Sequence, residues 1–432
     1  MLKFTNTYSF KLLIIAVLAF LLLIPSLFIR ETIGERKGRR AEAIAEISSK
    51  WGGAQTLTGP FLTIPFKKFF LDSLGQRKYF VSRYHILPSL LEIKASLTPE
   101  VRYRGIYETV LYKSRVRIRS EIDIPANLLL DTAENELLRD KAEINIGISD
   151  LKGIASIGKF LVNGKEYKLS PGTKNSDVID QGLGLGLGIK GFADKLIVDF
   201  EVDLNGSENI GFHPVGEVTR AEIDGLWKHP SFTGAYLPFE RRIDDSSFSA
   251  KWKVLHLNRN YPQSWEGTAY GLRGSDFKVE LLLAMDVYSK STRVVKYALL
   301  FILITFVGFF FSEIVSRKRI HPIQYLLIGF AILLFYVLLL SLSEHVNFDL
   351  AYVMSSVMSI LLIGLYTKGI LGSGLFGVYI SVILVILYAY YYILLQLQDY
   401  ALLIGALGLF AVLSLFMFFT RKINWYKVEV QE

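Results

Sequence analysis

The sequence of 432 residues contains no cysteine. Disulfides, thiolate metal sites and cysteine nucleophiles are therefore excluded, so any exported part must be stable through its hydrophobic core alone. Only six histidines are present, and none of them forms an HExxH motif or an i, i+4 pair. The sequence accordingly predicts no catalytic residue, no cofactor and no metal.

Charged side chains are missing from the middle of the long apolar segments. A bilayer crossing needs about 20 apolar residues, and six segments approach that length: residues 11–29, 297–315, 323–342, 350–367, 371–394 and 400–419. Carriers driven by a proton or sodium gradient place ionisable residues at mid-depth, so this absence argues against that class. The fold class predicted here is a membrane protein with a six-helix transmembrane bundle.

The first segment is predicted to be an uncleaved signal anchor, because bulky residues and not a small-residue cleavage pattern follow Pro25 and Ser26. Lysine and arginine in the short connections give the orientation, since they favour the cytoplasm. They fall on the side of the termini, at Lys3, Lys11, Arg317, Lys318, Arg319, Lys368, Arg421, Lys422 and Lys427. Both termini are therefore predicted to be cytoplasmic, although five cations between Arg30 and Arg40 disagree. This placement also accounts for much of the net charge of +8 without a nucleic-acid partner.

The long stretch between the first and second segments has the composition of a globular domain. After a juxtamembrane helix, apolar and polar residues alternate in several runs, which is typical of strands with one buried face. The runs are Leu57–Phe66, Val81–Leu87, Leu91–Leu97, Val116–Ile124, Ala142–Ile148 and Leu196–Leu204. A large exported β-rich domain, an antiparallel sandwich, is predicted, with one short helix over residues 128–138. The predicted division is 1–29 (N-terminus and anchor), 30–295 (periplasmic domain), 296–420 (five-helix bundle) and 421–432 (cytoplasmic tail).

The glycines at 182, 184, 186 and 188 match no phosphate-loop spacing and predict a flexible loop or a strand with one bare face.

Two groups of residues are candidates for binding. The stretch 211–265 is dense in polar and aromatic residues, and its candidates are Trp227, His229, Asn258, Arg259 and Trp265. Packing of a sandwich corner explains the same residues without a ligand.

The second group is Glu344 and His345, which end an apolar segment at the same depth as Tyr390–Tyr392. An interfacial belt is the simplest interpretation of this level. The alternative is a polar site that docks the domain or engages a lipid-linked envelope component.

The chain resembles the CreD family of bacterial inner-membrane proteins over nearly its whole length. The resemblance rests on motifs in the same order: Trp51–Pro60, Arg104–Glu108, Trp227–Gly234, Leu257–Arg259, Pro262–Trp265, Lys296–Ala298, His321–Tyr325, Ser341–His345 and Arg421–Tyr426. It implies an inner-membrane location and a link to cell-envelope stress. It implies no reaction.

The leading functional prediction is a non-enzymatic envelope-integrity protein. Its partners are the lipid bilayer and an envelope lipid, a cell-wall precursor or a membrane protein, which the periplasmic domain binds. The first alternative is a membrane carrier or exporter of an apolar or lipid-linked substrate. A cell-wall-directed enzyme is the third.

Overall fold

A computed structural model describes residues 8–125, 132, 134–173, 177–189, 195–283, 287–316, 318–397 and 400–421. The chain divides into two compact units. The membrane unit comprises Met1–Arg40 and Met285–Glu432, and the β-rich unit comprises Ala41–Ala284. The predicted tail beyond Arg421 lies outside the described residues, as do the loop cations Lys3 and Arg317.

The membrane unit is helical. Its helices are α1 (Tyr8–Leu21), α2 (Leu23–Trp51), α3 (Val287–Lys296), α4 (Ala298–Ser316), α5 (Pro322–Ser343), α6 (Phe348–Leu371), α7 (Gly374–Gln396) and α8 (Ala401–Thr420). Helix α2 runs on beyond Arg40, so its last two to three turns belong to the β-rich unit. Helix α3 is a short amphipathic helix that precedes the bundle.

Five helices in the described part of the chain are long and apolar enough to cross a membrane, against six predicted. The first, Lys11–Trp51, combines most of α1 with α2. The others are Ala298–Ser316, Pro322–Ser343, Phe348–Leu371 and Gly374–Gln396. Residues 400–419 do form a helix, α8, but it is not among these five. The multi-pass membrane character of the chain is thus confirmed, while the count of six is not matched.

Proline and capping residues set the helix ends. Pro25 has no N–H to donate to the carbonyl of Leu21, four residues earlier, and α1 gives way to α2 at a turn at Leu22. At the start of α5, the His321 ring accepts from the Ile323 N–H at 3.3 Å, and the His321 N–H donates to Gln324 Oε1 at 2.8 Å. The His321–Tyr325 motif is therefore a helix start.

Small residues let the membrane helices approach closely. The Leu22 side chain packs directly over Gly329 of α5, where a larger residue would clash. Gly364 of α6 faces Ser381 of α7, and the Tyr390 ring lies against Gly408 of α8.

The β-rich unit contains nineteen strands in its described residues. They are β1 (Gln55–Leu71), β2 (Arg77–Ile86), β3 (Leu90–Arg104), β4 (Tyr107–Asp123), β5 (Asn135–Leu137), β6 (Glu143–Ile148), β7 (Ile154–Ile157), β8 (Phe160–Val162), β9 (Lys165–Tyr167), β10 (Ser170–Pro171), β11 (Gly182–Gly186), β12 (Lys195–Ser207), β13 (Asn209–Phe212), β14 (Val218–Gly225), β15 (Pro230–Gly234), β16 (Glu240–Ile243), β17 (Phe248–Leu255), β18 (Ser264–Glu266) and β19 (Phe277–Leu281). All six predicted alternating runs lie on strands.

The strands form two sheets. The ten-stranded sheet has the order β10-β11-β6-β1-β13-β19-β15, with β2 and β5 on β1 and β18 on β2. The nine-stranded sheet has the order β16-β17-β14-β3-β4-β12-β8-β9, with β7 on β12. The prediction of an antiparallel sandwich is wrong in one respect, because β1 pairs in parallel with β13 and β3 with β14. Each parallel pair joins strands that are far apart in sequence, which leaves room for the long connection it needs.

One hydrophobic core joins the two sheets. Phe61 and Phe66 of β1 enter it from the first sheet, and Ile118 of β4 and Val198 of β12 enter from the second. All four are fully buried. Burial of large apolar side chains on both inner faces supplies most of the stabilisation that the absent disulfides cannot give.

The Trp51–Pro60 motif forms the entry to this unit. Gln55 is fully buried, and its amide donates to the carbonyls of Asp150 and Asn205 at 3.0 and 3.2 Å. The Gly53 N–H donates to Asp150 Oδ2 at 2.9 Å. One side chain thus ties β1 to the segment that follows β6 and to β12.

Two local predictions in this unit have different outcomes. The helix predicted over residues 128–138 is wrong at its end, where Asn135–Leu137 pairs with β1 as strand β5. Residues 128–131 and 133 of that prediction lie outside the described residues. The glycine run forms strand β11, in which Gly182 lies opposite Gly147 of β6. The backbones meet there without a side chain between them, which favours the strand alternative.

Candidate functional site

The five corner residues predicted in the β-rich unit mostly hold the fold. The Trp227 indole donates to the Leu282 carbonyl at 3.0 Å. Trp265 is buried, donates to the Gly267 carbonyl at 3.1 Å and packs against the ring of His85. His229 is exposed. The two tryptophans therefore have their polar atoms occupied by backbone carbonyls.

Asn258 and Arg259 also make contacts with neighbouring residues of the fold. The Asn258 side chain accepts from the Leu255 N–H at 3.0 Å, which closes the short turn after β17. The Arg259 guanidinium stacks on the ring of Tyr261 at 4.4 Å. Burial lowers the pKa of Arg259 from its ordinary value, although Tyr261 opposes the shift.

A pocket elsewhere in the β-rich unit was not predicted. It has a volume of about 520 Å³ and is named here the His213 pocket. Its lining comes from five segments that are distant in sequence: Thr56 and Thr58 of β1, Gly147–Ser149 at the end of β6, residues 177–181, His213 after β13, and residues 271–273. A volume between roughly 300 and 1,000 Å³ is typical of small-molecule sites.

His213 is held in a fixed position in this pocket. Its Nδ1 lies 2.8 Å from Thr58 Oγ1. Burial lowers the pKa of His213 from its ordinary value, and the nearby Asp276 only partly opposes this. A neutral imidazole offers one donor and one acceptor, and Thr58 and the Leu272 backbone both engage His213, so these contacts hold the ring at the pocket wall.

The charges in the His213 pocket lie close to opposite charges. Asp177 lies 3.3 Å from Arg83, and Asp180 lies 3.7 Å from Arg273, where both side chains are largely exposed to solvent. Between them the lining is apolar, at Val178, Ile179 and Leu272. A pocket with neutralised charges, hydroxyl groups and apolar patches suits a polar, uncharged ligand better than a free ion.

A row of buried polar groups lies beside Asp177. His85 is fully buried, with its Nδ1 3.2 Å from Thr63 Oγ1 and its Nε2 3.6 Å from Asp177 Oδ2. The buried Asn145 amide donates to Thr63 Oγ1 at 3.1 Å. Asp177 therefore connects His85 in the core with the lining of the pocket.

Nothing in the sequence pattern singles out His213 as a site residue. In the described part of the chain, no group of three or more His, Asp or Glu side chains could hold a metal ion. The pocket itself has no local motif, because each segment supplies only a few side chains. The pairing of β1 with β6 and β13 brings three of the five segments together.

In the membrane unit, Glu344 joins three helices. Its side chain is 9% exposed and lies 3.5 Å from Arg36 of α2. The hydroxyl of Tyr288 on α3 donates to the same carboxylate at 3.2 Å. Arg36, Tyr288 and Glu344 are named here the Glu344 clamp. Because Glu344 follows α5 directly, the clamp fixes α2 and α3 to the end of that helix.

The other residues predicted at the depth of Glu344 have different surroundings. His345 is exposed although it is adjacent to Glu344. The belt interpretation is wrong for Tyr391, which is 2% exposed and donates to the Tyr297 carbonyl at 2.7 Å. Tyr391 belongs instead to an aromatic cluster with Phe301 and Tyr388 in the bundle interior.

A second ion pair in the membrane unit was not predicted. Lys11 of α1 pairs with Glu313 of α4, and the Tyr325 hydroxyl of α5 donates to the same carboxylate at 3.2 Å. The Glu313 side chain is 5% exposed and that of Lys11 is 20% exposed. These three residues are named here the Glu313 lock, since they connect α1, α4 and α5.

We expect Glu344→Ala to lower the free energy of unfolding of the membrane unit by about 1.5 kcal/mol, because the Tyr288 hydroxyl and Arg36 lose a charged partner. The effect is limited because Arg36 is half exposed and can be hydrated. Denaturant unfolding of the purified protein in detergent measures it. His345→Ala is the matched control and should change stability by less than about 0.5 kcal/mol. Equal effects of the two substitutions would contradict the clamp.

Several long apolar helices combined with a two-sheet β-rich unit define a multi-pass membrane protein with a large folded domain. A family model described as "Inner membrane protein CreD" matches residues 7–426. The Inner membrane protein CreD of Escherichia coli K12 is 31% identical over 417 residues, which cover 94% of this chain and 91% of that protein. The chain therefore belongs to the CreD family and is a multi-pass inner-membrane protein with an envelope-associated role.

Proposed function

We propose that this protein helps to maintain the cell envelope by binding an envelope component in the His213 pocket, without catalysis. The observation that supports this is the pocket itself, which has the volume of a ligand site and paired charges. Hydroxyl groups and a neutral histidine alternate with apolar side chains on its walls. A hydroxyl-rich uncharged group, such as a sugar, can bond to the former and pack on the latter.

The proposal includes an orientation. Six crossings, with the apolar helix α8 as the sixth, put both termini on one side of the membrane. The cations of the short loops then favour cytoplasmic termini and a periplasmic β-rich unit. The absence of native cysteine makes this directly measurable. We expect Leu257→Cys, in the β-rich unit, to react with a membrane-impermeant maleimide in cells with a permeabilised outer membrane. Lys368→Cys, at the end of α6, should react only after the inner membrane is lysed.

Site-specific photocrosslinking in intact cells tests the binding. A photoreactive residue at Gln181, in the pocket lining, should capture one defined envelope component, and the same residue at the exposed Leu237 should not. Recovery of the component chemically unchanged supports binding without turnover. Capture of the same mixture at both positions would refute the proposal.

A charge reversal in the pocket should weaken this capture. Arg273→Glu places a carboxylate beside Asp180, and water screens the added charge because both side chains are largely exposed. We expect about a threefold loss of crosslinked product at Gln181. Arg242→Glu, on the exposed strand β16, is the matched control and should leave the yield unchanged. Equal yields in both variants would show that the ligand does not occupy this pocket.

A further inference from the structure

A groove opens on the side of the membrane unit, between α2, α5 and α6. Its volume is about 570 Å³. Pro25 and Ile29 of α2 form one wall, and Leu362, Ile363 and Tyr366 of α6 form the other. The floor is α5, from Leu327 to Val337. Its size falls within the range of roughly 300–1,000 Å³ that ligand sites occupy.

The lining is apolar throughout, apart from Tyr366. Ile328, Leu333 and Ile363 lie buried at the bottom, whereas Leu334 and Leu362 are about half exposed at the rim. All of the lining belongs to helices that are long and apolar enough to cross the bilayer. No water is available at that depth to fill such a space, so its occupant must be hydrocarbon.

The walls become polar beyond one end of the groove. On α5, Ser341 and Glu344 follow Val337 by one and two turns, so Glu344 lies about 10 Å further along the helix. On α2, Arg36 follows Ile29 by seven residues and Arg39 follows Pro25 by fourteen, which places both arginines on the groove side. Arg36 is shared with Glu344, while Arg39 is exposed and adds positive charge.

An apolar groove that leads to arginines matches a lipid with a negatively charged headgroup. Arginine binds phosphate oxygens through two parallel hydrogen bonds, and clustered cations beside a membrane helix attract anionic lipids. We propose that the groove holds one hydrocarbon chain of an anionic phospholipid, with its phosphate at Arg36 and Arg39. This site is independent of the His213 pocket, and it is the opening that a carrier of lipid-linked substrates would need.

Native mass spectrometry of the full-length protein tests the chain position. The protein is purified from membranes and equilibrated with equal amounts of phosphatidylglycerol and phosphatidylethanolamine. We expect one retained lipid on the natural sequence. Ala331→Trp fills the floor of the groove and should reduce its occupancy at least tenfold, whereas Val378→Trp on lipid-exposed α7 should not. Unchanged occupancy in Ala331→Trp would overturn the proposal.

The same measurement tests the headgroup. We expect phosphatidylglycerol to be retained in preference to phosphatidylethanolamine, and Arg39→Gln to remove that preference. Lys37→Gln is the matched control, because Lys37 has the same charge and is exposed but lies about 100° around α2 from the mean direction of Pro25 and Ile29. Equal retention of both lipids on the natural sequence would overturn the anionic headgroup.

A lipid with a photoreactive acyl chain tests the groove by a second route. It should label residues 327–337 in the natural sequence and in any variant that remains folded and keeps the groove open. Uniform labelling of all helices would overturn the groove as the site.

Discussion

Glu313→Leu is expected to lower the free energy of unfolding of the membrane unit by about 3 kcal/mol, because breaking a buried ion pair leaves one charge without its partner. The Lys11 ammonium then remains between α1 and α4, and the Tyr325 hydroxyl loses its acceptor. The estimate is at the lower end of the usual range because Lys11 is 20% exposed and its long side chain can extend toward water.

A double variant separates the pair from a general loss of packing. Lys11→Met combined with Glu313→Leu replaces both charges by apolar side chains of similar length, and it should recover to within about 1 kcal/mol of the natural protein. Glu313→Gln should be intermediate, since its amide can still accept from Tyr325. Unfolding in mixed detergent micelles, followed by circular dichroism, measures all three. A double variant as unstable as Glu313→Leu would show that the lock does not depend on charge pairing.

The limits of the membrane helices follow from the sequence, but their partners do not. The segment predicted at 323–342 is Pro322–Ser343, and the one at 297–315 is Ala298–Ser316. Bilayer thickness fixes the length of such segments, so hydropathy finds them. The sequence places Lys11 on the cytoplasmic side of the first segment and gives it no partner. Which charges meet depends on how α1 packs against α4, and hydropathy carries no information about that.

In the β-rich unit, too, the sequence predicts the elements but not which of them pair. Alternation of apolar and polar residues identifies β12 as a strand because one of its faces is buried, whereas β1 is buried on both faces over residues 57–64. Alternation does not identify the neighbour of a strand, so the parallel pairing of β1 with β13 was missed. The helix predicted near Asn135 failed because a leucine-rich turn fits a short buried strand equally well. The His213 pocket depends on strand pairing and could not be predicted before it.

Acid is expected to destabilise the β-rich unit through His85, by about 3 kcal/mol between pH 6.5 and pH 4. Burial lowers the pKa of His85 to about 4, from an ordinary value of 6.5. The neighbouring Asp177 carboxylate opposes the shift, whereas the Arg83 guanidinium adds to it. Phe61 and Trp265, whose rings pack on the imidazole, exclude water from it.

The direction of the change in stability with pH follows from proton uptake. In the unfolded chain His85 takes up a proton near pH 6.5, but in the folded protein only near pH 4. Between these values the unfolded state binds one more proton, so stability falls by about 1.4 kcal/mol for each pH unit of acidification. Above pH 6.5 and below pH 4 this histidine contributes no slope. Burial lowers the pKa of His213 as well, so His213 adds to the loss in the same direction.

Denaturant unfolding of the full chain in detergent, measured at several pH values by tryptophan fluorescence, tests the expectation. Four of the five tryptophans belong to the β-rich unit, and the ring of Trp265 lies 5.6 Å from that of His85. His85→Gln cannot take up a proton, so it should flatten most of the slope between pH 4 and 6.5. His229→Gln, at an exposed histidine, should leave the slope unchanged. Asp203, whose pKa is lowered, loses its stabilisation mainly below its ordinary value of 3.8, whereas the exposed Glu46 begins to lose its own near 4.5, at the acid end of this window. A slope in His85→Gln as steep as that of the natural protein would therefore assign the acid sensitivity to groups other than His85.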